Sequence, residues 1–557
     1  MISLLLSAMV AGPMVVREPT LQTAPQIVRI HMRVQGYGVT GTGEMILDRA
    51  TGSFVQRLNL GPASETIGFD GKTAWFADAT GLPIAEGNVD QRSSILAWSA
   101  LFARPWPAAV TGGVVRFRGF SRAIALTVDR SSGLVQRAIV PRGDVKTIVA
   151  PSDYRTLPDG SVMPYVIKYT DDSGTWTGFV TRVSLQRSAP STLFAQPVRP
   201  DDARISGGIT SVQTLPGAPL IIIPARIDGG PLMHFILDTG GQNILTPDAM
   251  RRLGLQSVGG GTVGGGGANL ISTRWANVRS VRVGAAEMTD QPFLVIDFGK
   301  LLRGIDGILG YELLARFAAR LDYRTDTLQL ASSIPASWIA GARAAPFTFR
   351  ERQPQVGGAV DGIPAQVTID TGSTGTFDVN AGFSRDYDLW KRYRVTRARV
   401  LYTGVGGGVK AARVRLASVD LGSLTLHGVE ATLAQASAGF EADPSFAANA
   451  GEGIFREYRL VFDYAHRRLY FAPGGLRDRS GLTLTARNGM LMVSAVRAGA
   501  PAAGIAPGMR VTAVNGRAVS ANDLQAVRAI LDARAGTQVL LMLNGTVNRK
   551  ILLRNYL

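Results

Sequence analysis

The sequence lacks cysteine altogether and contains only four histidines among its 557 residues. Without cysteine there is no disulfide, no thiolate zinc site, no iron–sulfur cluster and no cysteine nucleophile. The histidines are scattered along the chain, which does not favour a histidine-rich metal site. We therefore expect no metal and no cofactor, and chemistry that depends on carboxylates, hydroxyls or backbone groups.

The sequence also lacks an apolar run of about 20 residues, the length that a membrane-spanning helix needs. Residues 2–10 form a short apolar run followed by the small residue Ala11, as in a secretory signal, but no positively charged residue precedes the run. No lipid-accepting cysteine follows it, which excludes a lipoprotein. We interpret residues 1–24 as an apolar or signal segment and expect export to a periplasm-like compartment, with the cytoplasm as the alternative.

Acidic residues are fewer than basic ones, and the formal charge is +17. The basic residues are mostly arginine and are dispersed, which is typical of a solvated surface. Nucleic-acid binding is an alternative explanation of the charge, but no stripe of basic and aromatic residues supports it, and we expect no nucleic-acid partner. The content of 46% apolar and 18% charged residues indicates a folded chain, and its length allows about three or four domains.

Residues 25–187 contain short β-rich runs separated by turn signals such as DRATGSF at 48–54. The runs at 115–117 and 165–169 are typical of half-buried antiparallel strands. We predict an N-terminal antiparallel β domain, whose pattern resembles the curved sheet of bacterial lipoprotein-carrier-like domains. Residues 188–217 contain several serines and prolines and are predicted to be a linker.

A repeat follows this linker. Residues 226–240 (RIDGGPLMHFILDTG) and 359–372 (AVDGIPAQVTIDTG) each contain a strand, an Asp-Gly turn, a proline, a second apolar strand and then Asp-Thr-Gly. Farther along, Gly310 in the first copy matches Gly451 in the second. Two homologous β lobes in one chain are the simplest explanation. The sequence therefore predicts a mainly β fold class.

The lobes resemble bacterial retropepsin-like aspartic proteases, fused in tandem as in pepsin-type enzymes. The resemblance covers about 218–473 and rests on two triplets, Asp238-Thr239-Gly240 and Asp370-Thr371-Gly372, with Ile308-Leu309-Gly310 as a further match. One such triplet arises readily by chance, whereas two that each close an apolar strand within a repeat do not. The resemblance implies a pepsin-like pseudo-dimer, with lobe 1 at 218–331, a linker at 332–345 and lobe 2 at 346–473.

The resemblance also implies a mechanism in which Asp238 and Asp370 share one proton and activate a water. Two adjacent carboxylates do not both ionise readily, so one removes a proton from the water while the other donates to the scissile carbonyl. The glycines permit the tight turns, and by resemblance the threonines lock the two loops through hydroxyl–backbone bonds. The alternative is that each aspartate only closes an Asx turn. The supporting residues are Thr239, Gly240, Thr371, Gly372 and Ser373.

Each lobe carries a glycine-rich patch between its triplet and its later glycine, GGGTVGGGG at 259–267 and GVGGG at 404–408. One interpretation is a pair of flexible flaps that close over a substrate and exclude water. A phosphate cradle is disfavoured because the Gly-Lys-Ser/Thr ending and a following helix are missing. A plain surface turn is the remaining alternative. The flap candidates are Gly264, Gly265, Gly406 and Gly407.

The two lobes differ at positions that bear on the proposed pair. Ser373 follows the second triplet, where its hydroxyl is placed to bond the outer oxygen of Asp370, whereas Gly241 follows the first. Lobe 2 has Asn449 where lobe 1 has Ile308, which replaces a packing residue by a polar one. We expect the carboxylates to be inequivalent. The difference is consistent with a pair in which it decides which aspartate holds the proton. It is equally consistent with a second lobe that has lost its catalytic role.

Residues 474–557 resemble a PDZ domain of the kind found in bacterial secreted proteases. The resemblance rests on a strand, the APAAG segment, a Pro-Gly turn and VTAVNG, although Met509 replaces the usual aspartate. Leu524–Leu531 is predicted to be a helix from its apolar spacing. Such domains bind the C-terminus of a peptide by strand addition. The resemblance places the carboxylate loop at Gly481, Leu482, Thr483 and Leu484.

The function expected from these features is an aspartic endopeptidase with a PDZ-like module that recruits peptides or regulates access. Its partners are then a peptide or protein substrate and a peptide C-terminus, and the pairing of lobes within one chain allows an active monomer. The alternative is a non-catalytic peptide-binding scaffold of the bacterial envelope that keeps the retropepsin shape.

Overall fold

A computed structural model of the chain describes most of its residues. The predicted apolar run at residues 2–10 lies outside the described part. Within that part, no helix is both long and apolar enough to cross a lipid bilayer. The described residues are 14–16, 27–86, 114–117, 124–142, 145–216, 218, 220–299, 301–302, 304–350, 352–475, 479–496 and 504–554.

Contacts divide the chain into two compact units, which we describe separately. The first comprises Met1–Pro200 with the short pieces Val258–Gly264 and Leu270–Trp275. The remaining segments, Asp201–Ser257, Gly265–Asn269 and Ala276–Leu557, form the second.

The first unit is built on one 13-stranded sheet, in the order β1-β8-β9-β10-β11-β12-β13-β2-β3-β4-β5-β6-β7. Along β2 the buried side chains alternate with more exposed ones, because successive residues of a strand point to opposite faces. Trp176 and Phe54 are among the largest fully buried side chains, and Trp176 stacks on Tyr169 with ring centres 5.3 Å apart. The strands are β1 Met14–Val16, β2 Ile27–Gly36, β3 Val39–Asp48, β4 Phe54–Asn59, β5 Glu65–Phe69, β6 Ala74–Ala77, β7 Pro83–Glu86, β8 Val114–Phe117, β9 Ile124–Val128, β10 Val135–Arg142, β11 Val145–Thr156, β12 Val162–Asp171 and β13 Gly174–Gln186.

Lobe 1 contributes an eight-stranded sheet in the order β14-β21-β18-β22-β17-β16-β20-β19. Two of the strands in this part of the chain, β14 and β15, lie in the segment that the sequence suggested as a linker. Helix α1 begins at Pro247, and Thr246 caps it by accepting a bond from the Ala249 N–H at 3.2 Å. The elements are β14 Ala203–Ile205, β15 Ile209–Gln213, β16 Ile222–Ile227, β17 Leu232–Leu237, β18 Ile244–Leu245, α1 Pro247–Arg252, β19 Ser257–Val263, β20 Ile271–Val283, β21 Ala286–Ile296, β22 Gly307–Leu309 and α2 Tyr311–Arg316.

Lobe 2 lies in a second 13-stranded sheet, in the order β15-β24-β23-β33-β34-β25-β26-β27-β32-β28-β31-β30-β29. The pairing of β23 with β33 joins the ends of the two repeats, with Ala319 opposite Phe462. The elements are β23 Ala318–Asp322, β24 Thr327–Ala331, α3 Ala336–Ile339, β25 Arg343–Arg350, β26 Gln353–Val360, β27 Ile363–Ile369, β28 Phe377–Val379, α4 Ala381–Asp386, α5 Leu389–Arg392, β29 Arg399–Gly404, β30 Gly407–Leu421, β31 Leu424–Ala434, β32 Ala448–Ala450, α6 Glu452–Phe455, β33 Arg459–Asp463 and β34 Arg468–Ala472.

The C-terminal residues form a smaller sheet in the order β35-β36-β37-β39-β40, and β38 pairs with β37. Helix α7 covers it with Leu524, Val527 and Leu531, which are buried as their spacing predicts. The prediction of a mainly β fold is confirmed. The elements are β35 Leu482–Arg487, β36 Met490–Val496, β37 Arg510–Val514, β38 Arg517–Ala518, α7 Leu524–Leu531, β39 Gln538–Leu543 and β40 Val547–Leu552, and the 3₁₀ turns of the chain are Gly61–Ala63, Ser191–Leu193, Phe440–Ala442 and Ala521–Asp523.

Two ion pairs hold this C-terminal sheet against the turn between β23 and β24. Arg528 of α7 donates to Asp326, and both side chains are only 11% exposed. Arg324 donates to Asp532, whose side chain is 7% exposed. The Arg528–Asp326 pair is shielded from water on both sides, whereas Arg324 is 44% exposed. The shielded pair contributes to docking only while both partners are present, because a single buried charge is strongly destabilising.

We expect Arg528→Met to loosen the C-terminal sheet, because it leaves Asp326 without this cation at a cost of about 3 kcal/mol. Amide hydrogen exchange within 482–552 should accelerate. Arg517→Met is the matched control, since Arg517 is 79% exposed and reaches Asp523 only at 3.8 Å. Equal exchange rates in the two variants would show that the ion pair does not hold the sheet.

Candidate active site

The two Asp-Thr-Gly triplets end equivalent strands, β17 in lobe 1 and β27 in lobe 2. The N–H of Asp238 donates to the carbonyl of Leu309 at 3.0 Å, and the N–H of Asp370 donates to the carbonyl of Ala450 at 2.9 Å. Each triplet is therefore positioned by the short parallel strand next to it, β22 or β32. The backbone around the two triplets is therefore paired in the same way in both lobes, as the repeat predicts.

The structure brings the carboxylates of Asp238 and Asp370 close enough for each to shift the pKa of the other. One oxygen of each accepts a 2.8 Å bond from the glycine N–H of its own triplet, Gly240 or Gly372. Each carboxylate also lies against the glycine of the opposite triplet. A Cβ at Gly372 would be 2.5 Å from Cγ of Asp238, and one at Gly240 would be 2.9 Å from Cγ of Asp370. Only glycine leaves room for the carboxylates here.

The threonines of the triplets cross-link the two loops. The hydroxyl of Thr239 donates to the carbonyl of Ile369 at 2.7 Å, and that of Thr371 donates to the carbonyl of Leu237 at 2.8 Å. Each hydroxyl also accepts the backbone N–H of the other threonine at 3.0 Å. Both threonines are fully buried. These four bonds fix the relative position of the two aspartates.

The surroundings raise the pKa of both aspartates, but not to the same extent. Burial away from water raises the pKa of Asp238 well above its usual range, and the neighbouring charge of Asp370 raises it further. Removal of water also raises the pKa of Asp370, but the Asn449 amide and nearby backbone N–H groups oppose that rise. Two acids placed together in this way favour a state in which they share one proton.

The outer oxygens of the two carboxylates have different neighbours. The side-chain amide of Asn449 donates to Oδ2 of Asp370 at 2.8 Å, so it acts as a hydrogen-bond donor where lobe 1 has the apolar Ile308. On the other side, a Cβ at Gly241 would be 2.8 Å from Oδ2 of Asp238, so a side chain does not fit there. The expected inequivalence is thus visible in the geometry.

The expected role of the Ser373 hydroxyl needs correction. Its oxygen accepts a bond from the Gly375 N–H at 3.2 Å. The contact that Ser373 makes with the Asp370 carboxylate comes from its backbone N–H. The reason is the turn after the triplet, which places the hydroxyl oxygen against the backbone of Gly375 and Gly451.

The glycine-rich patches of the two lobes meet at their tips. The N–H of Gly267 donates to the carbonyl of Val405 at 2.7 Å, and that of Asn269 donates to Gly406 at 3.0 Å. A Cβ at Gly406 would lie 2.3 Å from the carbonyl oxygen of Asn269. Of the flap candidates, Gly265 packs against Val405, and Gly407 begins β30 next to this contact. A Cβ at Gly264 would lie 3.7 Å from the Leu270 side chain.

Lobe 2 holds further buried acids that the sequence analysis did not identify. Asp378 is 6% exposed and Glu441 is 3% exposed, and the charge of Asp370 acts on both. Burial raises the pKa of Asp378 to about 6. Burial and the charge of Asp378 together raise the pKa of Glu441 well above its usual range. Aligning the lobes by strand register, rather than by motif, would have placed Asp378 opposite an apolar residue of lobe 1.

The residues assigned to a PDZ carboxylate loop lie at the start of β35. Leu482 and Leu484 are buried in the core of the C-terminal sheet, and the carbonyl of Thr483 accepts a bond from the Ser494 hydroxyl at 3.1 Å. Gly481 has a positive φ of 70° and lies directly before the strand. Among the strands that the structure describes, β35 lies at one edge of its sheet.

Among the described residues, no group of three or more metal-ligating side chains has the arrangement of a metal site.

A comparison with protein families matches the segment that contains the first triplet. Residues 223–313, which include the first triplet, match a family model described as an aspartyl protease. No curated protein matches the chain. Among solved structures, the chain is similar to the aspartic proteinase from Irpex lacteus, at 14% identity over 48% of this chain and 97% of that one, with a TM-score of 0.34. The family model thus finds residues 223–313 similar to an aspartyl protease.

Proposed function

We propose that the protein is an aspartic endopeptidase in which Asp238 and Asp370 hydrolyse peptide bonds with an activated water. The observation that carries the proposal is the contact between the two carboxylates on loops cross-linked by Thr239 and Thr371. A pair of acids that shares one proton supplies both a general base and a general acid.

The neighbours of the pair suggest which acid holds the proton. The Asn449 amide stabilises the ionised form of Asp370, whereas Asp238 has no such side-chain donor from Gly241 or Ile308. We therefore assign the proton to Asp238. Asp370 then removes a proton from the water, and Asp238 donates to the scissile carbonyl as the tetrahedral intermediate forms.

Two further assignments belong to this proposal. The meeting glycine-rich tips act as flaps that open for a peptide and exclude water when closed. The C-terminal sheet acts as a PDZ-like module, because β35 is an edge strand to which an extended peptide can add.

Digestion of a peptide library by the wild type and by Asp370→Asn in parallel, read by mass spectrometry, tests the proposal. Cleavage products that appear only with the wild type support it. If the purified wild type releases no products between acidic and neutral pH but still binds peptides, the protein is the non-catalytic scaffold instead.

The pH profile tests the assignment of the proton. Asn449→Ile, which installs the lobe 1 residue, removes a bond to the ionised form of Asp370 and so raises its pKa. Because Asp370 has to be ionised as the base, the acidic limb of the kcat/KM profile should move up by about one pH unit.

The matched variant is Ile308→Asn, which offers the same amide to Asp238. It should lower the pKa of Asp238 and move the alkaline limb to lower pH. An acidic limb that stays in place in Asn449→Ile would contradict the assignment of Asp370 as the base.

A further inference from the structure

The two lobes differ at one set of three equivalent positions. In lobe 1, Ile244 of β18 pairs with Ile308 of β22 and with Leu294 of β21. All three are apolar and buried. They form an apolar surface on the lobe 1 side of the carboxylate pair.

In lobe 2 the same pairings join polar residues. Asp378 of β28 pairs with Asn449 of β32 and with Thr432 of β31. Thr432 donates its hydroxyl to Oδ1 of Asp378 at 2.6 Å. Glu441, from the 3₁₀ turn Phe440–Ala442, completes the group. We call Asp378, Thr432, Glu441 and Asn449 the acidic cluster.

Among the described residues, two acceptors of the acidic cluster have few donors around them. Oδ1 of Asn449 is buried and has no hydrogen-bond partner in this part of the chain, and the Glu441 carboxylate has the Tyr402 hydroxyl as its one side-chain donor there. A buried acceptor without a full set of donors destabilises the fold, and a donor that arrives with a ligand removes that cost. These oxygens therefore indicate a ligand that brings hydrogen-bond donors.

No cation among the described residues compensates the cluster. In the part of the chain that the structure describes, no lysine or arginine forms an ion pair with Asp378 or Glu441. Arg350, which lies near by, donates instead to Asp443. Two buried carboxyl groups without a cation are unfavourable, and a bound cation would remove that penalty.

We propose that the acidic cluster is a substrate subsite that takes a lysine or arginine side chain close to the scissile bond. The subsite rests on the proposed peptidase function, since it adjoins Asp370 through Asn449. An ammonium or guanidinium group has only hydrogen-bond donors and carries a positive charge. It therefore matches the Asn449 and Glu441 oxygens and the carboxyl groups of the cluster. The apolar lobe 1 surface would take an apolar side chain on the other side.

Paired peptides that differ only in lysine or norleucine, at each position around the cleaved bond, test this proposal. The two side chains have similar length, but only lysine carries charge. At one position, the wild type should cleave the lysine peptide with a kcat/KM at least about tenfold higher.

Asp378→Asn and Glu441→Gln should each reduce this preference to within about threefold while leaving cleavage of the norleucine peptide in place. Asp420→Asn is the matched control, because Asp420 is also a lobe 2 aspartate bonded to a threonine, Thr425, at 2.6 Å. It should keep the full preference. Urea unfolding of each variant checks that its fold is intact.

The outcomes separate the subsite from the catalytic proposal. Cleavage without a lysine preference, or a preference unchanged in both Asp378→Asn and Glu441→Gln, overturns the subsite alone. If the wild type cleaves no peptide, the peptidase proposal fails, and calorimetric binding of the same peptides decides on the subsite. Tighter binding of lysine peptides that is lost in Asp378→Asn would support it, and equal binding would overturn it.

Discussion

Asp238→Asn and Asp370→Asn should each lower kcat/KM by at least about a thousandfold, the scale of losses seen when a member of a catalytic group is removed. An amide neither accepts the proton of the water nor supplies an acidic proton to the carbonyl. Initial rates with a peptide found in the library digestion measure the effect.

The same substitutions should not destabilise the fold. Because the pKa of Asp238 is raised, its ionised form disfavours the folded state, and the wild type loses stability as pH rises above the ordinary aspartate value of about 3.9. Asparagine has no charge to bury, so Asp238→Asn should have an equal or higher Tm at neutral pH.

Asp386→Asn is the control for these two variants, since its carboxylate is 64% exposed at the end of α4. It should keep both activity and Tm. Full activity in purified Asp238→Asn or Asp370→Asn would refute the peptidase mechanism, whereas loss of activity together with loss of folding would trace the defect to structure rather than chemistry.

Thr239→Val and Thr371→Val should destabilise the paired lobes by about 2–6 kcal/mol each. Valine has nearly the same shape as threonine, but it leaves one carbonyl and one N–H of the opposite loop unpaired, at about 1–3 kcal/mol for each buried group. For Thr239 these groups are the carbonyl of Ile369 and the N–H of Thr371. Urea unfolding measures the loss.

Activity should fall with these variants as well, because the cross-link positions the carboxylates. Thr239→Ser keeps the hydroxyl and should recover most of both stability and kcat. The matched control is Thr368→Val, since Thr368 is equally buried but accepts only one weak bond, at 3.4 Å from Gln355. If Thr239→Val were no more destabilised than Thr368→Val, the cross-link would not be important for stability.

The repeat explains why so much of the site was predictable. Local strand patterns and two identical triplets place Asp238 and Asp370 at equivalent strand ends, and the backbone pairings with Leu309 and Ala450 follow that prediction. The strands of the N-terminal domain and helix α7 also follow their apolar spacing. These features depend on neighbours within a few residues, which periodicity reports directly.

The parts that were not predicted depend on contacts between distant segments. Asn449 was expected to make the two carboxylates inequivalent, but only the structure shows that its amide donates to Asp370, 79 positions away in sequence. Ser373 was expected to use its hydroxyl on Asp370, but the turn directs that hydroxyl to Gly375. Asp378 and Glu441 carried no motif, and only the sheet register brings them beside the pair.

The sequence by itself determined the mainly β character, the duplicated lobe and the two aspartates, because these are recorded as local patterns that occur twice. The tertiary structure decided which carboxylate has an amide donor, how the threonines join the loops and where the acidic cluster lies. Hydrogen bonds and electrostatic effects act over a few ångströms in space, irrespective of distance along the chain, so only the folded arrangement shows them.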